Sequence, residues 1–191
     1  MRLLPSAVLI STLLLLHATS FAQDSSKADP TPSEAAHFLS SLKARYGEEA
    51  QASPLSFDDV GNGSAITGIK KNKDDKQPTL YQAKIQMQQN GAELNFLIFS
   101  ECTLTDPTKL TERIIKISGQ KVVTYYACAN PSGKVTGYRQ VYLVKSPKAK
   151  EFLISKFHEQ KYVFIEFDGF PVPFETVGFT KFWDASSGSA L

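Results

Sequence analysis

The sequence predicts a mainly β chain of the α+β type. The expected architecture is an antiparallel β-sandwich or a curved sheet, with an N-terminal helix and one short helix before the last strands. Three observations carry this. Apolar and polar residues alternate on both sides of an Asn-Gly pair at 90–91. Runs rich in Val, Tyr and Phe recur at 121–129, 135–144 and 162–167, separated by turn-forming residues. Helical spacing of apolar residues appears only near 31–47 and 146–157.

Taken in order, the chain opens with Met1-Arg2, an apolar stretch from Leu3 to Leu16, and small residues alternating at Ser20 and Ala22. This is the pattern of a cleavable export signal, with the cut expected after Ala22. The apolar run is short for a membrane span, and no second long one follows, so no integral membrane segment is expected after cleavage. Residues 23–31 read as a flexible leader, 32–185 as a single globular domain and 186–191 as a flexible tail.

Thr31-Pro32-Ser33-Glu34 has the form of a capped helix start. Ala35, Phe38, Leu39, Leu42 and Tyr46 then share one helical face, and Gly47 suits the stop. A polar connection with Pro54 follows. Residues 57–78 hold weak strand signals broken by glycines. The run 70–76 mixes both charge signs and reads as a solvated loop.

Around Asn90-Gly91 a two-residue type I′ turn is expected, pairing Gln89 with Ala92. That register sets Met87 opposite Leu94, Ile85 opposite Phe96 and Ala83 opposite Ile98 on one face. Leu97 and Phe99 fall on the other face, which is therefore expected to be partly covered. Asp106-Pro107 opens a short helix toward Arg113, and 114–117 is open to either helix or strand. A strand over 121–129 returns through Asn130 to Gly133 into 135–144. Ser146-Pro147 opens the second helix, with Ala149, Phe152, Leu153, Lys156 and Phe157 on one side. Tyr162 to Phe167 is a strand, Asp168-Gly169 a turn, and Phe174 to Val177 the returning strand.

Twenty-one Lys and Arg against 19 Asp and Glu leave a net charge of +2, too balanced for a nucleic-acid footprint. Both cysteines, Cys102 and Cys128, follow the export signal, and in an oxidising compartment one disulfide between them is expected. Such a bridge stabilises a loop of this size by about 3.5 kcal/mol in the chain-entropy account.

The search for chemistry is less productive. His37 and His158 lie on the two expected helices, and neither has a ligand partner four residues on. Ser40 to Lys43 matches the S-x-x-K pattern without the other motifs of penicillin-recognising enzymes. Asp58-Asp59 is a carboxylate pair in glycine-rich sequence, and nothing around it marks acid–base work. Asn62-Gly63-Ser64 has the form of a glycosylation sequon, relevant only in a eukaryotic source. No metal, cofactor or catalytic residue is assigned. Aromatics crowd the second half; most are expected in the core, and Tyr138 and Trp183 are the candidate binding residues near turns.

Leu153 to Phe157, Lys161 to Phe167, Pro171-Val172-Pro173-Phe174 and Gly178-Phe179-Thr180 together resemble the end of the invasion associated locus B family. The likeness covers about 153–185. Family members usually carry a cysteine pair just before the final helix, where this chain has Lys145 to Lys150. The resemblance implies a β-sandwich, no catalysis, and a role at the bacterial cell envelope or toward a host. The resulting expectation is an exported, non-enzymatic protein, periplasmic or secreted, that binds a protein partner. Within the binding class, a periplasmic inhibitor or immunity protein against a cell-wall hydrolase is an alternative that fits the same size, export signal and disulfide. A small periplasmic hydrolase is the alternative from another class.

Overall fold

A computed structural model describes residues 27–72, 74–102, 109–129 and 139–188. In chain order the elements are α1 (Pro32–Tyr46), β1 (Gln51–Leu55), α2 (Phe57–Val60), β2 (Ser64–Lys70), β3 (Thr79–Gln88), β4 (Gly91–Phe99), β5 (Thr111–Ile117), β6 (Gln120–Ala129), β7 (Arg139–Val144), α3 (Pro147–Glu159), β8 (Tyr162–Phe167), β9 (Phe170–Glu175) and α4 (Phe179–Ser187). The strands form one antiparallel sheet in the order β1-β2-β3-β4-β7-β6-β5-β8-β9. The sheet curls until it nearly closes. Of the two arrangements expected, the curved sheet is the one formed.

What stops the closure is proline. Asp168 and Gly169 both take positive φ, at 48° and 79°, and turn the chain in two residues, so Phe167 pairs with Phe170. The amides of Phe170, Val172 and Phe174 then face β8, and Pro171 and Pro173 occupy the positions whose N–H would point to the open edge. The Thr67 hydroxyl crosses the seam to the Pro173 carbonyl, and β1 lies beside β9 without ladder pairing. β1 carries its own proline, Pro54. This hairpin places the returning strand at 170–175, earlier than the expected 174–177.

The interior is aromatic. Phe96 on β4 meets Phe167 at 5.7 Å, Phe174 at 5.6 Å and Phe157 of α3 at 6.4 Å between ring centroids. At one end Phe57 of α2, Phe157 of α3 and Phe179 of α4 form a triangle that plugs the sheet. Toward the other end Tyr142 touches Phe167 and Tyr126, and Tyr81 stacks on Phe167. Burial pushes the phenols of Tyr81 and Tyr142 well above their ordinary value; the Tyr46 hydrogen bond adds to the first shift and the Asp168 carboxylate to the second.

α1 packs on the β8–β9 hairpin, through Phe38 on Phe164 of β8 and Tyr46 on Phe170 of β9. Its capping box is formed as expected: Thr31 accepts from the Glu34 amide, and the Glu34 carboxylate accepts from the Thr31 amide. Leu39, expected on the apolar face, is exposed, because only Phe38 and Leu42 of α1 reach β8 and β9 closely enough to be buried.

Several sequence expectations are corrected. The β3–β4 hairpin pairs Gln88 with Gly91, Ile85 with Leu94 and Ala83 with Phe96. Neither Gln89 nor Asn90 has positive φ, so the turn is not type I′; Gly91, at φ 112°, takes the unusual conformation. The partner shift is two residues, which keeps every side chain on its expected face. Met87 lies at the hairpin tip, 62% exposed. Second, β1 occupies the stretch read as a polar connection. Third, α2 was not expected; Ser56 and Asp59 build a second capping box there. Fourth, α4 was not expected, and it reaches into the stretch from 186 read as a flexible tail. Residues 114–117 belong to β5, which begins at Thr111 and so replaces the end of the helix expected from Asp106 toward Arg113; the start of that helix and the turn at 130–133 lie outside the described residues.

The disulfide between Cys102 and Cys128 is present, with Cα atoms 5.9 Å apart. It ties the end of β4 to β6. On the adjoining strand, Gln140 donates to Ser100 Oγ and to the Glu101 carbonyl.

Two substitutions test this packing. Phe96→Ala is expected to cost about 3–5 kcal/mol in equilibrium urea unfolding, the range for a large buried aromatic; a loss under about 1 kcal/mol would contradict its central position. Gly178 caps α4 at φ 82°, and a Cβ there would come within 2.4 Å of the Asp58 carboxylate and 2.9 Å of the Asp58 amide nitrogen. Gly178→Ala is expected to lose about 1–3 kcal/mol, and an unchanged melting temperature would refute the close approach.

Candidate partner-binding groove

A broad concave surface lies between the outer face of the β5–β6 hairpin and α3, with a volume of about 970 Å³. Its origin is the antiparallel ladder. Pairing Ile114 with Val123 puts both side chains on the outer face, 60% and 41% exposed. α3 supplies the opposite wall with Ala149 and Phe152, which are half-buried. Phe152 was expected on the core-facing side of the helix; Leu153 and Phe157 are the residues of that side that are buried.

Lysines rim the groove. Lys121, Lys145 and Lys148 line it together with Glu112 and Glu151. Lys145 is ion-paired with Glu112 and sits 5.4 Å from the Tyr125 ring centroid. The hydrogen bond to Glu112 raises the Lys145 ammonium above its ordinary value. Lys156 covers the Phe152 ring at 5.5 Å. The arrangement is an apolar strip inside a rim with more ammonium than carboxylate. It suits a segment carrying an apolar side chain next to carboxylates.

A second concavity of about 370 Å³ lies between α1 and the β5–β8 face, with Phe164 and Pro171 at its floor. Its charged groups are already engaged. Lys116 pairs with Glu166 at 2.7 Å, and Glu34 is the capping carboxylate of α1. His37 stands exposed at its lip.

The residues singled out from sequence are scattered. Tyr138 lies outside the described residues. Trp183 is half-buried, stacked on Phe179 at 5.6 Å, and lines a small cavity of about 20 Å³ with Lys150, Leu153 and Ile154. It therefore flanks α3 on a different side from the groove. His158 Nδ1 is 2.9 Å from the Thr180 hydroxyl, and its ring meets Phe179 edge-on, which links α3 to α4. Asp168 pairs with Arg113 at 3.3 Å, and that guanidinium stacks over Tyr126 at 4.3 Å. Ser40 donates to the His37 carbonyl, while Lys43 pairs with Glu48. Asp59 caps α2, and hydrogen bonds to the Ser56 side chain and amide lower its pKa; Asp58 faces Gly178 and Lys181. Among the described residues no group of three His, Cys, Asp or Glu could hold a metal ion. No described helix is long and apolar enough to cross a membrane.

Comparison with family models, curated proteins and solved structures finds no match to this chain. The groove residues Val123 and Phe152, and Ile114 beside Val123 on the ladder, were not singled out from sequence as binding residues. The available signal was an apolar pair facing away from the buried Ile115 and Val122 across one ladder.

Trp183→Ala tests the packing role of that indole. The expected loss is about 1–2 kcal/mol, below the value for full burial, measured by thermal and urea unfolding. Unaltered stability would mean that the stack on Phe179 contributes nothing and that Trp183 is available as a surface anchor.

Proposed function

We propose that this protein is exported and acts without catalysis, by binding a protein partner at the bacterial cell envelope or toward a host. The export reading rests on the N-terminal pattern of Arg2, an apolar run and alternating small residues, and the cysteine pair suits an oxidising compartment. The setting rests on the likeness of 153–185 to the end of the invasion associated locus B family. The observation that carries the binding reading is the lysine-rimmed apolar groove between β6 and α3. Its occupant is a partner segment that sets an apolar side chain against Val123 and Phe152 and carboxylates against Lys121 and Lys148. His158 is hydrogen-bonded to Thr180 and Asp168 is ion-paired with Arg113.

A photoreactive residue at position 123, introduced in the native host, is expected to crosslink one envelope or host protein. Combining Lys121→Glu with Lys148→Glu is expected to weaken that capture at least tenfold, about 1.4 kcal/mol, with melting unchanged. Undiminished crosslinking in the folded double variant would remove the groove from the proposal. A folded His158→Ala protein that kept its partner but lost all biological activity would overturn the non-enzymatic reading.

A further inference from the structure

The segment before α1 does not hang free. Lys27 reaches its ammonium into a socket of three oxygens: the Phe157 carbonyl at 2.9 Å, the Thr176 carbonyl at 2.8 Å and Thr176 Oγ1 at 3.1 Å. Thr176 is fully buried, and its hydroxyl donates in turn to the Gln160 carbonyl. Next in the chain, Ala28 forms a parallel bridge with Gln160: its amide donates to the Glu159 carbonyl at 3.0 Å, and its carbonyl accepts from the Lys161 amide at 2.8 Å. Asp29 completes the strap with an exposed ion pair to Lys161 at 3.6 Å.

The socket has a physical reason to bind a cation. α3 ends at Glu159, and its last carbonyls lack intrahelical partners. The negative end of the helix dipole adds to their pull on an ammonium. Lys27 satisfies Phe157 and Ala28 satisfies Glu159, so the strap completes the helix end from outside. Beyond the ammonium, the contacts described for the strap include one bridge and one exposed ion pair. No strand of the sheet depends on it for ladder pairing.

We propose that this socket is a binding site for the lysine of an extended peptide, filled in cis by Lys27 and open to a lysine-bearing segment of another chain when the strap leaves. The recognised unit is an ammonium in the Phe157–Thr176 oxygens with the following residue bridged to Gln160. The strap thereby acts as a built-in competitor, and apparent affinity for the outside segment is reduced by the fraction of time the strap is docked. The site is separate from the β6–α3 groove and does not rest on the function proposed for it.

The test uses a fluorescent peptide of the sequence Asp-Ser-Ser-Lys-Ala-Asp-Pro, that of residues 24–30, and the same peptide with norleucine for lysine. Anisotropy titration is run on the full chain as its host processes it, and on Lys27→Glu and Ala28→Pro, each of which unlatches the strap by a different bond. The lysine peptide is expected to bind the folded variants at least tenfold more tightly than the unsubstituted protein. The norleucine peptide is expected to bind at least tenfold more weakly than the lysine peptide. Equal binding to all three proteins, or indifference to the ammonium, would overturn the proposal. So would loss of the folded state in both variants, since the strap would then be a fixed part of the domain. Sedimentation of the unsubstituted protein separates the sources: a reversible dimer lost in Lys27→Glu assigns the segment to a second copy, and a monomer assigns it to a different chain.

Discussion

A curled sheet of nine strands must fill the space it encloses, and here the filling is a set of stacked aromatic rings centred on Phe96. Close packing of rigid rings leaves few arrangements for whatever covers the ends. Phe57, Phe157 and Phe179 each bring a helix to one end because their rings complete the stack, and the positions of α2, α3 and α4 follow from that. The groove between α3 and β6 is a secondary consequence. α3 is anchored by Leu153 and Phe157, and its Phe152 side stands off the outer face of the hairpin.

The same economy governs the edges. A sheet that nearly closes still offers two rows of backbone groups, and exposed rows invite pairing with other chains. Prolines at 171 and 173 remove donors from β9, α1 packs on the β8–β9 hairpin, and Pro54 interrupts β1. The disulfide is placed where the sheet has a long excursion between β4 and β5, holding its start against β6. At the plugged end Thr176 is the junction, receiving Lys27 and binding the carbonyls that lead from α3 into β8. The N-terminal segment, α3, β8 and the entry to α4 thus share one set of hydrogen bonds.

Surface chemistry divides along the same lines. The carboxylates singled out above and His158 have structural neighbours: Asp59 in a cap, Asp58 against Gly178, Asp168 on Arg113, His158 on Thr180. The exposed apolar pair Ile114 and Val123 has no comparable cover within the fold, and the ammonium groups around the adjoining groove set the sign of what can lie there. Charge at the rim and apolar surface at the floor are the ordinary division of labour in protein recognition, where the rim steers and the floor binds.

Local signals in the sequence determined the class of fold, the boundaries of α1 and the start of α3, the buried face of the β3–β4 hairpin and the cysteine pairing. Each depends on neighbours in sequence or on a count of two: Thr31 and Glu34 cap one another across three residues, and alternation fixes a face by parity alone. Parity is also where that reasoning ended, since a register two residues away satisfies it equally, and the conformation of Gly91 chose between them. The short helices had readable signals in Ser56 with Asp59 and in the spacing of Phe179, Phe182 and Trp183, but a few residues outweigh strand or turn alternatives only when a partner surface exists. The groove and the lysine socket were beyond local reading altogether. Val123 and Phe152 are brought together by packing, and Lys27 meets Thr176 across 149 positions of chain. Such contacts are decided by how the aromatic interior closes, which no short window of sequence contains.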